Sequence, residues 1–156
     1  MADLYQLFNV FILAISPIVE CRGSIPYGIV TGIDLPTVLL VTLIGNCLPV
    51  PFLLLFLKAA EGWVMRRDDS NPLKRLVVRY LESLRRRTGE QVKKYGFLGL
   101  VLFVAVPVPG TGAWTSSVVA YLFGMEWKRA LAAILIGVVC AVAIVTALVL
   151  AIGIVL

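Results

Sequence analysis

Ser16-Pro17-Ile18-Val19-Glu20-Cys21-Arg22-Gly23-Ser24-Ile25-Pro26 is the stretch whose reading decides the fold. Apolar runs enter and leave it, yet it carries two opposite charges and two prolines. If the flanks lie in lipid, Glu20 and Arg22 lie at membrane depth, where ionisable groups are costly and mark functional sites. Pro17, Gly23 and Pro26 interrupt helical hydrogen bonding at the same depth. Broken backbone in a bilayer survives only where it is buried in protein or lines a wet cavity.

The rest of the chain makes the bilayer the expected solvent. Hydrophobic residues are 60% of 156, and mean hydropathy is +0.98, more than a soluble core of that size can hide. The formal charge of +5 is uneven, since eleven of the fourteen Lys and Arg residues fall within 58–94. That clustering reads as one cytoplasmic segment and not as a nucleic-acid surface. Cys21, Cys47 and Cys140 sit in apolar segments without paired spacing and read as small buried residues, not metal ligands. Histidine is absent, and no GxSxG, HExxH, P-loop or GxGxxG pattern occurs, which argues against an enzyme and against a metal or cofactor. The amino-terminal run lacks a basic residue before it, so it reads as part of the mature protein and not as a cleaved signal.

Outward from the quoted stretch, residues 4–15 predict a helix about 18 Å long, too short for roughly 30 Å of hydrocarbon. Residues 27–33 predict a second short helix, and the pair reads as a re-entrant hairpin. Asp34-Leu35-Pro36 marks a surface turn with proline in the first turn of the next helix. Residues 37–57 are charge-free and long enough to span, with Asn46 and Pro49-Val50-Pro51 unusual for a plain anchor. Residues 58–94 are polar. Asn71-Pro72 opens a helix there whose apolar face (Leu73, Leu76, Val77, Tyr80, Leu81, Leu84) opposes Lys74, Arg75, Arg79, Arg85 and Arg86. Such a helix suits an anionic lipid surface or the protein's own cytoplasmic face.

The plan is then written a second time. Residues 95–106 predict a short helix, Pro107-Val108-Pro109-Gly110-Thr111-Gly112 a second broken centre, 113–123 a short return, 125–129 a polar turn, and 130–156 a span. At an offset of 92, Phe11 meets Phe103, Pro17 meets Pro109, Ser24 meets Ser116, Gly32 meets Gly124, Asp34 meets Glu126 and Gly45 meets Gly137. Interrupted apolar segments at matching positions in two halves point to a transporter-like site.

The expected fold is therefore an all-α integral membrane protein of two inverted repeats, 1–57 and 95–156. Each repeat is a re-entrant hairpin plus a transmembrane helix, and the basic linker 58–94 joins them. Lysine and arginine place that linker and the 125–129 turn in the cytoplasm and both termini outside a multi-pass inner-membrane protein. Four ordinary spanning helices are the alternative. The hairpin tips would bring Glu20, Arg22 and Gly23 to Gly110-Thr111-Gly112, Trp114 and Thr115. A glycine-rich turn at a helix N-terminus suits an anion, Arg22 adds a forked donor for phosphate or carboxylate, and Glu20 sits between desolvation and Arg22 as a proton carrier. The candidate substrate and coupling residues are Glu20 and Arg22, with Gly23, Pro26, Asn46, Pro107, Pro109, Gly110, Thr111, Gly112, Trp114 and Thr115 around them. Two spans and two hairpins enclose little volume, which favours a homo-oligomer among membrane lipids.

Residues 17–26, Gly45-Asn46 and Pro107-Val108-Pro109-Gly110-Thr111-Gly112-Ala113-Trp114-Thr115 resemble the small multidrug export protein family, over nearly the whole chain. The resemblance implies kinship with the DedA (VTT-domain) membrane proteins, whose paired re-entrant hairpins are implicated in moving polyprenyl-phosphate lipids with proton coupling. Glu20 and Arg22 match the acidic and basic hairpin residues of that wider group. Gly110-Thr111-Gly112 stands where DedA proteins commonly carry an arginine. The expected function is a transporter or flippase for an anionic amphiphile. Export of small amphipathic drugs and a non-transporting membrane scaffold are the alternatives.

Overall fold

The computed structural model describes residues 4–66, 72–108 and 111–155. The expectations placed on Pro109 and Gly110 fall outside them. The described residues form helices without strands: α1 (Leu4–Ile15), α2 (Glu20–Val30), α3 (Leu35–Cys47), α4 (Pro49–Met65), α5 (Pro72–Ala105), α6 (Ala113–Leu122) and α7 (Trp127–Val155).

Helix α1 ends before Pro17, whose ring disfavours helical backbone in the residue preceding it. Residues 16–19 then turn the chain, and α2 begins at Glu20. This corrects the second short helix, which starts at Glu20 and not at residue 27. Pro26 removes one intrahelical hydrogen bond, but burial of Ser24, Ile25 and Gly28 on the same helix holds the rest of the ladder together. The broken centre is thus four residues long, and Glu20 and Arg22 ride on the first turn of a helix.

Asp34 caps α3 by accepting the Thr37 N–H at 3.1 Å, with Pro36 in the first turn. Leu48 keeps helical angles, and its N–H reaches Ile44 O at 2.9 Å. Helices α3 and α4 therefore follow one another with Pro49 and Pro51 at the join. Taken together, residues Leu35–Trp63 form one of two stretches, among the described residues, that are long and apolar enough to cross a bilayer, and Trp127–Gly153 is the other. The first outruns the expected 37–57 because Lys58 and Glu61 change polarity without breaking a helix. The same physics corrects the linker. Helix α5 runs unbroken for 34 residues, joining the basic segment to the expected 95–106 helix, because no proline intervenes before Pro107.

Helices α1, α2 and α3 pack on one another, as do α5, α6 and α7. The groups are joined by α7 against α2 and α3 and by α4 against α6. Small residues fill these contacts: Ala14, Ala105, Ala113, Ala120, Ala130, Ala133 and Ala141 are buried, as close helix approach in lipid requires. Gly45 lets α1 come near, since a Cβ there would stand 2.6 Å from Ala14 Cβ. Gly137 serves α5 in the same way, with Val101 O at 2.9 Å from such a Cβ. Outward-facing Leu40, Phe52, Phe56, Val139 and Leu148 are more than half exposed, the pattern of helices solvated by lipid.

The turn that ends α2 recurs 92 residues later. Ile33 N–H bonds to Gly28 O at 3.1 Å and Gly32 N–H to Ile29 O at 3.1 Å; Met125 N–H bonds to Ala120 O at 3.0 Å and Gly124 N–H to Tyr121 O at 2.9 Å. Gly32 and Gly124 sit at φ +78° and +70°, the left-handed cap that glycine adopts without a Cβ penalty.

Candidate functional site

Glu20 is the centre of the site, and its backbone is the first sign. It sits at φ +50°, a conformation that L side chains adopt at a cost and that concentrates at functional positions. Its carboxylate lies against the start of α6. Only 5% of the side chain is exposed. The backbone N–H groups of Ala113 and Trp114 face the carboxylate, and a Cβ on Gly112 would overlap both its oxygens. A residue from the first half of the chain thus occupies the positive end of a helix from the second.

Arg22 makes the second link. Its Nη2 donates to Thr111 Oγ1 at 3.0 Å and to Val106 O at 3.4 Å, while Nη1 lies 3.8 Å from Glu20 Oε2. The Thr111 hydroxyl is 2.7 Å from Val106 O and 2.8 Å from Val108 O, donating to one at a time and so folding the turn after α5 back on itself. Trp114 closes the assembly, its indole Nε1 donating to Ile15 O at the end of α1 at 3.0 Å. The indole is an anchor between the halves here.

The arrangement is under-satisfied. Glu20 Oε1 and Arg22 Nε are buried without hydrogen-bond partners, and 3.8 Å is beyond a hydrogen bond between the two groups. Buried polar groups are ordinarily paired, so each orphan calls for a functional or structural explanation.

The other expected residues divide. Thr111, Gly112 and Trp114 lie at the site. Gly23 sits one residue beyond Arg22, where a Cβ would strike Val19, so it shapes the turn. Pro26 is inside α2, a turn and more from Glu20. Pro107 follows α5 in the turn that Arg22 pins. Asn46 is buried, but its described hydrogen bond runs from Nδ2 to Thr42 O in its own helix at 3.0 Å. Thr115 is exposed and lies off the site. Sequence reasoning missed the carbonyls of Val106 and Ile15, which any residue could supply. It also missed a buried polar pair, Ser24 Oγ and Thr42 Oγ1, which share a hydrogen bond at 3.0 Å. Ser116 Oγ, 92 positions from Ser24, is buried without a partner; the offset comparison held the signal that could have found it.

Compared with known proteins, the chain matches a family model described as "Putative small multi-drug export protein" over residues 20–144. The match begins at Glu20 and takes in every residue of the site except Ile15. No curated protein and no solved structure matches the chain.

Proposed function

The chain belongs to the small multi-drug export protein family, and from that premise we propose that it is a multi-pass transporter or flippase whose Glu20–Arg22 site handles an anionic amphiphile. Its substrate class is a lipid or small molecule with a phosphate- or carboxylate-like head, of the polyprenyl-phosphate kind. The observation that carries this reading is the meeting of Glu20 and Arg22 with the amino-terminal end of α6. Ionisable groups buried beside broken helices are what a substrate path through lipid needs.

In this proposal α1–α2 and α5–α6 are re-entrant hairpins entering from opposite faces of the inner membrane, and the two halves are inverted repeats. The recurrence of the glycine turn at an offset of 92 and the short apolar lengths of α1 and of Lys94–Ala105 support it. The basic segment then lies in the cytoplasm and both termini outside, with kinship to DedA proteins and a homo-oligomeric assembly as further parts of the proposal. Glu20 takes and releases the coupling proton. Among the described residues Arg22 is the charged group facing it, and Cys21 beside it is the other titratable one.

A second reading, export of small amphipathic drugs, is favoured by the family's description, with the orphan Oε1 of Glu20 as the group that would meet a cation. Transport by purified protein in liposomes separates the two. A labelled polyprenyl phosphate and a cationic dye are followed with and without a pH gradient, in wild type, Glu20→Gln and Arg22→Ala. Phosphate-lipid movement that needs both residues is the expected result. Dye movement that needs Glu20 alone replaces it with the drug reading. Movement of neither by well-folded protein overturns both in favour of a scaffold.

A further inference from the structure

We infer that the Glu20 carboxylate is the resident occupant of the anion site, so that it and a substrate anion exclude one another and the anion binds only once Glu20 has swung out, which loss of its charge favours. The inference rests on the transporter reading above and specifies how its site is regulated.

Charge sets the first part of the argument. The site offers one full positive charge, on Arg22, and the partial charge of a helix end, equivalent to roughly half a charge. One carboxylate nearly balances that sum, and a second anion at the same depth would be uncompensated in a medium where such charges are costly. Space sets the second part. The carboxylate fills the volume a Cβ on Gly112 would take, which is the position from which a ligand oxygen would meet the N–H groups of Ala113 and Trp114. No room for a phosphate or sulfonate head exists there until the carboxylate leaves.

The N–H groups of Ala113 and Trp114 hold one side of the carboxylate, and its other side is incompletely held. Oε1 makes no hydrogen bond, Arg22 stands 3.8 Å away, and Arg22 Nε keeps an unused donor. A tetrahedral head with three oxygens is the chemistry that fits the unused donor as well as the N–H pair. Glu20 therefore acts as a built-in pseudo-ligand. The proton that neutralises it and the anion that replaces it therefore each favour the binding of the other.

The test uses decanesulfonate, an amphiphile whose charge is constant with pH, binding to the full chain in phosphatidylcholine nanodiscs, with empty nanodiscs subtracted. Glu20→Gln and Glu20→Ala are each expected to bind at least tenfold more tightly than wild type at pH 8, and Arg22→Gln to lose binding. Should the Glu20 variants fold poorly, wild type alone decides, its affinity rising at least tenfold as pH is lowered. Equal affinity of wild type and both Glu20 variants, still dependent on Arg22, overturns mutual exclusion while leaving the anion site intact. Absence of binding by every folded protein overturns the anion site itself, and the exclusion with it.

Discussion

At the scale of single residues, the sharpest probe is a methyl group at position 112. Gly112 is the extended N-cap of α6, where Ala caps less well than Gly, and the Cβ of Gly112→Ala would occupy the place of the Glu20 oxygens. Overpacking of that kind costs about 1–3 kcal/mol, so both effects destabilise. The expected outcome is a lower melting temperature in detergent together with loss of transport. Gly99 is the control: nothing stands within 4 Å of a Cβ there. Gly99→Ala is expected to leave transport intact and to hold or raise the melting temperature. A result in which the two variants melt alike would remove the close approach of Gly112 to Glu20 from the account. The positive φ of Glu20 belongs at this scale too, because a strained backbone is kept only where its surroundings over-determine it.

Among the elements, α3 has the most explicit start signal. The Asp34 carboxylate accepts from the Thr37 hydroxyl and from the Thr37 backbone N–H, and these hydrogen bonds hold its pKa below the ordinary carboxylate range. A lowered folded-state pKa means the contribution to stability is complete above the unfolded value and is lost as pH falls through the lowered one. Asp34→Ala is expected to speed amide exchange at residues 35–38 near neutral pH, whereas Asp34→Asn, which still caps, is expected to keep protection. Equal exchange in both variants would show that packing and not the cap fixes this end. The Asp34-Leu35-Pro36 signal was fully legible in the sequence, because capping chemistry is local. So were the two broken centres and the residue types that meet across them. The starting point of α2 was not legible. A proline and a glycine argue for a break through residue 26, and only the buried packing of Ser24, Ile25 and Gly28 overrides them. Nor could polarity alone show that α5 is one helix, since the change at residues 94 and 95 alters which solvent suits the helix without altering its backbone. The place of the Glu20 carboxylate beside Gly112 was out of reach because it is a contact between residues 92 positions apart, and no residue type announces the positive φ found at Glu20.

For the molecule as a whole, the question is which face each turn meets. Asp34 and Glu126 stand 92 residues apart at the starts of α3 and α7, in turns with the same hydrogen bonds. The proposed inverted repeats would place them on opposite sides of the membrane. With Cys21, Cys47 and Cys140 replaced by Ala, single variants Asp34→Cys and Glu126→Cys are exposed to a membrane-impermeant maleimide in whole cells. Labelling of the first and protection of the second until the cells are opened is the expected pattern. Labelling of both from outside would overturn the inversion.

The ties that complete the site run from Arg22 to Thr111 and from Trp114 to Ile15, across 89 and 99 residues of chain. Synthesis is directional, so Glu20 and Arg22 emerge from the ribosome long before α6 exists to receive them. During that interval the first half carries a carboxylate and a guanidinium with no helix end to meet. It must wait, either beside the insertion machinery or at the lipid surface. Assembly of the centre therefore cannot precede synthesis of α6, and a chain interrupted before that helix holds its two charges without the helix end that receives them.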